Sequence, residues 1–196
     1  MVPSSRNPGP EIYPRSEPPE LHKPPEPWLR GTLAEMPAVV RGVLHVLELA
    51  KEDVGRWGGP LTIEQLEARP MGLPAVAFHI RHIARSLDRL LTYAEGAPLD
   101  GEQMAALKSE LDADGSRAGV FDELAAGLAS AAERVRGIDP AKLEERRAVG
   151  KQQLPTTVGG LLVHVADHTQ RHVGQAITTA KVVAARRAGQ QLPTPR

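Results

Sequence analysis

Four long stretches of this chain return their apolar residues every three or four positions, and that period leaves little freedom of architecture. At about 100° per residue, Met36, Val39, Val40, Val43, Leu47, Ala50 and Val54 share one face of a first helix. It is expected to run from about Leu33 or Pro37 to Trp57 and to end at Gly58-Gly59-Pro60. Arg41, His45, Glu48 and Glu52 fall on the opposite face, which puts His45 in solvent. A second helix, about Pro74 to Glu95, aligns Val76, Ile80, Ile83, Leu87, Leu90 and Ala94, and Gly96 stops it. A third, about Gly119 to Arg136, aligns Val120, Leu124, Leu128, Ala131 and Val135. The fourth and longest covers about Thr157 to Arg187. Single amphipathic helices are marginal in water until their stripes are buried against one another. The predicted fold is therefore all-α, a four-helix bundle.

The connections carry their own signals. Thr62 with Gln65 reads as a capping box opening a short helix to about Ala68. Asp100 with Gln103 caps another through Leu111, and Asp139-Pro140 starts a further turn. Arg146 to Pro155 reads as an extended connection with slight strand character. Gly159-Gly160 marks a close helix-packing point. Half of the 18 prolines lie before Trp28, where fixed φ and the missing donor forbid helix and central strand. The expected organisation is an extended or disordered Pro-rich arm over residues 1–27, one bundle domain with accessory helices over 28–188, and a polar tail over 189–196.

Charge and composition exclude several function classes. The 24 Lys+Arg balance 24 Asp+Glu, unlike the basic excess of a dedicated nucleic-acid binder. No apolar run approaches the ~20 residues that span a bilayer, and the arm lacks the apolar core of a signal peptide. Neither nucleic acid nor membrane is an expected partner. Cysteine is absent, which removes disulfides, thiolate ligands and a cysteine nucleophile together and fits the cytoplasm.

Histidine is the informative residue. Five of the seven lie on two predicted helices. His164, His168 and His172 are spaced i, i+4, i+8 on the fourth helix, on one stripe with Leu161, Gln175 and Thr179. His79 and His82 are spaced i, i+3 on the second, with Ser86, Arg89 and Tyr93 continuing that side. At such spacings neighbouring side chains lie about 5–6 Å apart. Two histidines one turn apart can grip a metal ion from one helix, and a third from a facing helix makes a three-nitrogen site with open positions. The same spacing also suits interior histidines satisfied by hydrogen bonds within the bundle. Asp167 is placed either to orient a ligating imidazole or as a surface charge. His22 lies in the arm and takes no expected part.

Other bundle chemistries fail on spacing. The di-iron pattern needs Glu three residues before His, and those positions hold Val76, His79, Leu161, Val165 and Thr169. There is no His-Glu-x-x-His, no Gly-x-Ser-x-Gly and no glycine-rich phosphate loop.

Two segments resemble a known family. One is Phe78-His79-Ile80-Arg81-His82-Ile83-Ala84, leading to the run from Leu87 to Gly96. The other is Leu154-Pro155-Thr156-Thr157 followed by His164 to Gln175, whose His-x-x-x-His-x-Gly-Gln ending is the most specific piece. They resemble the DinB-like superfamily of metal-dependent four-helix-bundle proteins over roughly Trp28 to Arg187. The resemblance implies one histidine from the second helix and two from the fourth around a divalent metal, nickel or zinc. Carried over, these are His82, His168 and His172, with His79 as rival for the first position and His164 as an extra histidine at the rim. Asp167 stands where relatives often carry Glu.

The resemblance further implies a homodimer and a thiol-dependent transferase or isomerase acting on a small-molecule substrate, with bacillithiol, mycothiol or a related low-molecular-weight thiol. A divalent cation lowers the pKa of a thiol or water and so supplies a nucleophile near neutral pH. With no Cys in the chain, the thiol must come from a co-substrate. The leading expectation is thus a metal-dependent S-transferase-type enzyme, with Arg89, Tyr93 and Gln175 as candidates for orienting substrate. The alternatives are a non-catalytic metal- or ligand-binding bundle in a stress response, and a hydrolase using a metal hydroxide.

Overall fold

Pro37 cannot donate a backbone hydrogen bond, and the first long helix begins just after it, with Pro37 in the N-cap position. The computed structural model describes residues 24–31, 33–112 and 115–187. Residues 1–23 of the expected extended or disordered arm and the polar tail over 189–196 lie outside the described residues, as does His22. In chain order the helices are α1 (Ala38–Gly58), α2 (Ile63–Glu67), α3 (Val76–Ala94), α4 (Gly101–Lys108), α5 (Arg117–Arg136) and α6 (Val158–Arg187). A hairpin, β1 (Arg146–Val149) and β2 (Leu154–Thr157), joins α5 to α6. The architecture is an all-α helical bundle.

Both expected capping boxes form. Thr62 accepts from the Gln65 N–H and Asp100 from the Gln103 N–H, with each Gln side chain returning a bond to the cap. Gly96 takes φ +85° one residue past the C-cap of α3, a left-handed conformation that glycine adopts without strain. Ser116 caps α5 by accepting from the Gly119 N–H, so that helix starts two residues earlier than its apolar stripe indicated.

The stretch expected as an extended connection pairs with itself instead. Arg146 lies opposite Thr157 and Val149 opposite Leu154, antiparallel. The hairpin folds the chain so that the Val158 and Gly159 N–H groups, free at the start of α6, reach the Glu145 and Leu143 carbonyls at 3.0 and 2.8 Å. A side chain at Gly159 would come within 3.1 Å of the Leu143 oxygen. The close approach at this glycine is thus to the returning loop rather than to another helix.

The four long helices bury one continuous core. α3 packs most extensively against α6 and α5, and α1 against α6. Leu66, Ile80, Ile83, Leu87, Leu91 and Leu162 are fully buried at its centre, each worth roughly 1.5–3 kcal/mol of transfer free energy. One expectation fails on α1. His45 is buried, at 8% exposure, not solvated. The segment ahead of α1 turns back over that helix: Pro27 is buried, and Arg30 bridges Glu48 and Glu52 at 2.7 and 2.6 Å. Glu52 lies almost in line with His45 on the helix surface, so the chain's own turn binds the face that a helical wheel assigns to water.

Candidate metal centre

Because α3 and α6 pack against each other, the histidines of the two helices meet across their contact. His82 Nε2 lies 2.9 Å from His168 Nε2, and His79 Nδ1 lies 3.0 Å from His172 Nδ1. The His82 and His172 ring centroids are 4.3 Å apart and those of His168 and His172 4.6 Å. His82, His168 and His172 each offer a nitrogen within 4.8 Å of the other two, all three half-buried. Among the described residues this trio could hold a metal ion. His79 sits deeper, at 2% exposure, and its Nε2 is buried without a hydrogen-bond partner among the described residues. With its Nδ1 facing His172, it stands behind the trio rather than within it.

Burial and mutual repulsion favour the neutral form of the His79, His168 and His172 rings. Desolvation, reinforced by the neighbouring His82, lowers His168 to about 4 and His172 to about 3. His79 is likewise lowered to about 4, first by burial and then by His82. Neutral imidazole is the form whose nitrogen lone pair can bind a cation. The donor set fits a divalent metal in number, in spacing and in ligand type.

Two residues absent from the sequence-based site join it. Phe78 stacks on His82, with centroids 5.5 Å apart and planes at 24°, and meets His79 and His172 edge-on. It forms an apolar wall beside the trio. Glu110, just past α4, is 5% exposed; its Oε2 accepts from His82 Nδ1 at 2.7 Å, and its Oε1 pairs with Arg89 at 2.7 Å. Burial pushes the Glu110 carboxyl upward, but bonds and charge from His82 and Arg89 outweigh this and hold it below the ordinary range. Phe78 was visible as a neighbour of His79, whereas nothing in the pattern around Glu110 marks it.

The other expected residues are placed as follows. His164 is exposed one turn before His168, their ring centroids 5.3 Å apart. Arg89 is buried and committed to Glu110. Tyr93 is half-buried one turn beyond Arg89, and Gln175 is exposed near the middle of α6. Neither of these two takes part in the contacts among the histidine rings. Asp167 pairs with Arg171 on the exposed side of α6, which makes it a surface charge.

The sequence profile of one family, the DinB superfamily, matches residues 47–176, a span that holds α3, Glu110 and all three histidines of α6. The chain belongs to the DinB superfamily. Its helical architecture and its cross-helix histidine trio agree with that membership. No curated protein and no solved structure gives a significant match. This DinB protein also has no helix, among its described residues, long and apolar enough to cross a membrane.

Proposed function

We propose that this protein holds one divalent cation, nickel or zinc, on His82, His168 and His172 and uses it in an S-transferase-type reaction. The thiol would be a low-molecular-weight co-substrate and the acceptor a small electrophile. The observation that supports this most is the set of three imidazole nitrogens from two facing helices, all within 4.8 Å of one another. Three protein ligands are the usual number where a metal keeps positions open for substrate. When bound, such an ion lowers the pKa of a thiol or water near it and supplies a nucleophile at neutral pH.

The chain's own residues do the rest. His168 and His172, both held well below the ordinary histidine range by burial, need not lose a proton before they bind a cation. Phe78 shields one side of the trio from water. The chain has no Cys, so its own sulfur cannot compete for the cation as a thiolate. Arg89, Tyr93 and Gln175 stand as candidates for orienting substrate. A homodimer in the cytoplasm, with no nucleic-acid or membrane partner, completes the proposal, and the zero net charge supports that last part.

The histidine trio by itself equally supports a second reading, a metal-binding bundle without catalysis. A conjugation assay separates the readings. Zinc- or nickel-loaded protein is incubated with several low-molecular-weight thiols and small electrophiles, and turnover is compared with the chelated protein. The enzyme reading predicts metal-dependent product. Stoichiometric metal with no turnover on any pair would leave the binding role.

A further inference from the structure

Among the described residues, Glu110 is the acidic side chain that enters the histidine cluster, and packing alone gives it no reason to be there. It follows α4, a helix that buries none of its own residues. The apolar side chains around it, Leu107 and Leu111, point outward at 39% and 62% exposure. The segment thus leaves hydrophobic groups in water and inserts a carboxylate. A buried carboxylate is tolerated only when paired and hydrogen-bonded. Glu110 achieves this by spending one oxygen on Arg89 and the other on His82 Nδ1.

The consequence lies in the imidazole. A neutral histidine carries its proton on one nitrogen only, and the partner of one nitrogen decides what the other can do. A carboxylate oxygen accepts and cannot donate, so at 2.7 Å from Nδ1 it holds the proton there. Nε2 is then bare, and Nε2 is the atom 2.9 Å from His168 Nε2. We infer that Glu110 is a positioning residue of the centre, fixing the His82 ring and its tautomer so that Nε2 faces the ion. Arg89, 2.7 Å from the other carboxylate oxygen, holds Glu110 in place. This rests on the metal-centre reading above and adds to it a fourth residue from a different element.

The test uses the full chain, metal-free and then titrated with Zn²⁺. Nitrogen–proton correlation spectra of the histidine rings at about pH 8, above the ordinary histidine range, report the His82 tautomer directly. In the unaltered protein the proton is expected on Nδ1; a proton on Nε2 overturns the inference. Glu110→Ala alone would strand Arg89 as a buried cation, so the informative variant is Glu110→Leu with Arg89→Met, since apolar replacement of a buried pair is often neutral for stability. That variant is expected to lose the Nδ1–H signal of His82 and to bind Zn²⁺ about 10–100-fold more weakly, the usual effect of removing a partner behind a ligand. Unchanged tautomer and affinity in the variant would overturn the role of Glu110 while leaving the metal centre intact. Failure of the unaltered protein to bind Zn²⁺ would overturn both, and would be seen before any variant is made.

Discussion

Three imidazoles pressed together around a single carboxylate are an expensive arrangement for a bundle interior. His79 adds to the expense with a buried Nε2 that finds no partner among the described residues, a defect worth about 1–3 kcal/mol. The depressed pKa values express the same cost. His79, His168 and His172 are held at about 4, 4 and 3, against an ordinary 6.5 that the unfolded chain would show. Between those values the unfolded chain takes up protons that the native protein refuses, so acid favours unfolding. The metal-free protein is expected to be fully stable above about pH 6.5 and to lose stability steadily as pH falls toward about 4. Urea unfolding midpoints across that range check this, and a flat profile would contradict it. The histidines themselves were legible from spacing. Glu110 was not, because its contact with His82 joins residues 28 apart that share no periodic stripe.

At the scale of elements, the long helices and their caps were legible because they depend on local chemistry. The hairpin and the turn that binds the outer face of α1 were not, because each depends on where the chain runs outside its helices. Helix spacing supplies a sharper test. Gly127 on α5 sits so close to α3 that a Cβ would come within 2.9 Å of Ala84 Cβ and 3.1 Å of Ala84 Cα. Neither atom can swing away. Gly127→Ala is therefore expected to destabilise the protein by about 1 kcal/mol, overpacking outweighing the gain in helix propensity. Gly42 on α1 is also helical, but nothing lies within 4 Å of a Cβ there. Gly42→Ala is expected to stabilise by about 0.5–1 kcal/mol. Denaturant unfolding of both variants checks the pair; equal effects would contradict the close α3–α5 approach.

For the whole molecule, the bundle works as a frame that brings two histidine-bearing helices face to face. α3 lies between α5 and α6, so the core that fixes α3 also fixes His82 against His168 and His172. Family membership and helical architecture were both readable from the apolar period and the two histidine runs. That His82 rather than His79 lies within 4.8 Å of both His168 and His172 needed the three-dimensional arrangement, because i, i+3 spacing puts both on nearly the same side of α3. The most direct measurement is metal stoichiometry by elemental analysis after zinc or nickel loading and dialysis, on the unaltered protein and on His82→Ala, His168→Ala, His172→Ala and His164→Ala. The account predicts one ion per chain, lost in each of the first three variants and kept in His164→Ala. No bound ion in the unaltered protein, or an ion kept when His82, His168 or His172 is removed, would contradict it.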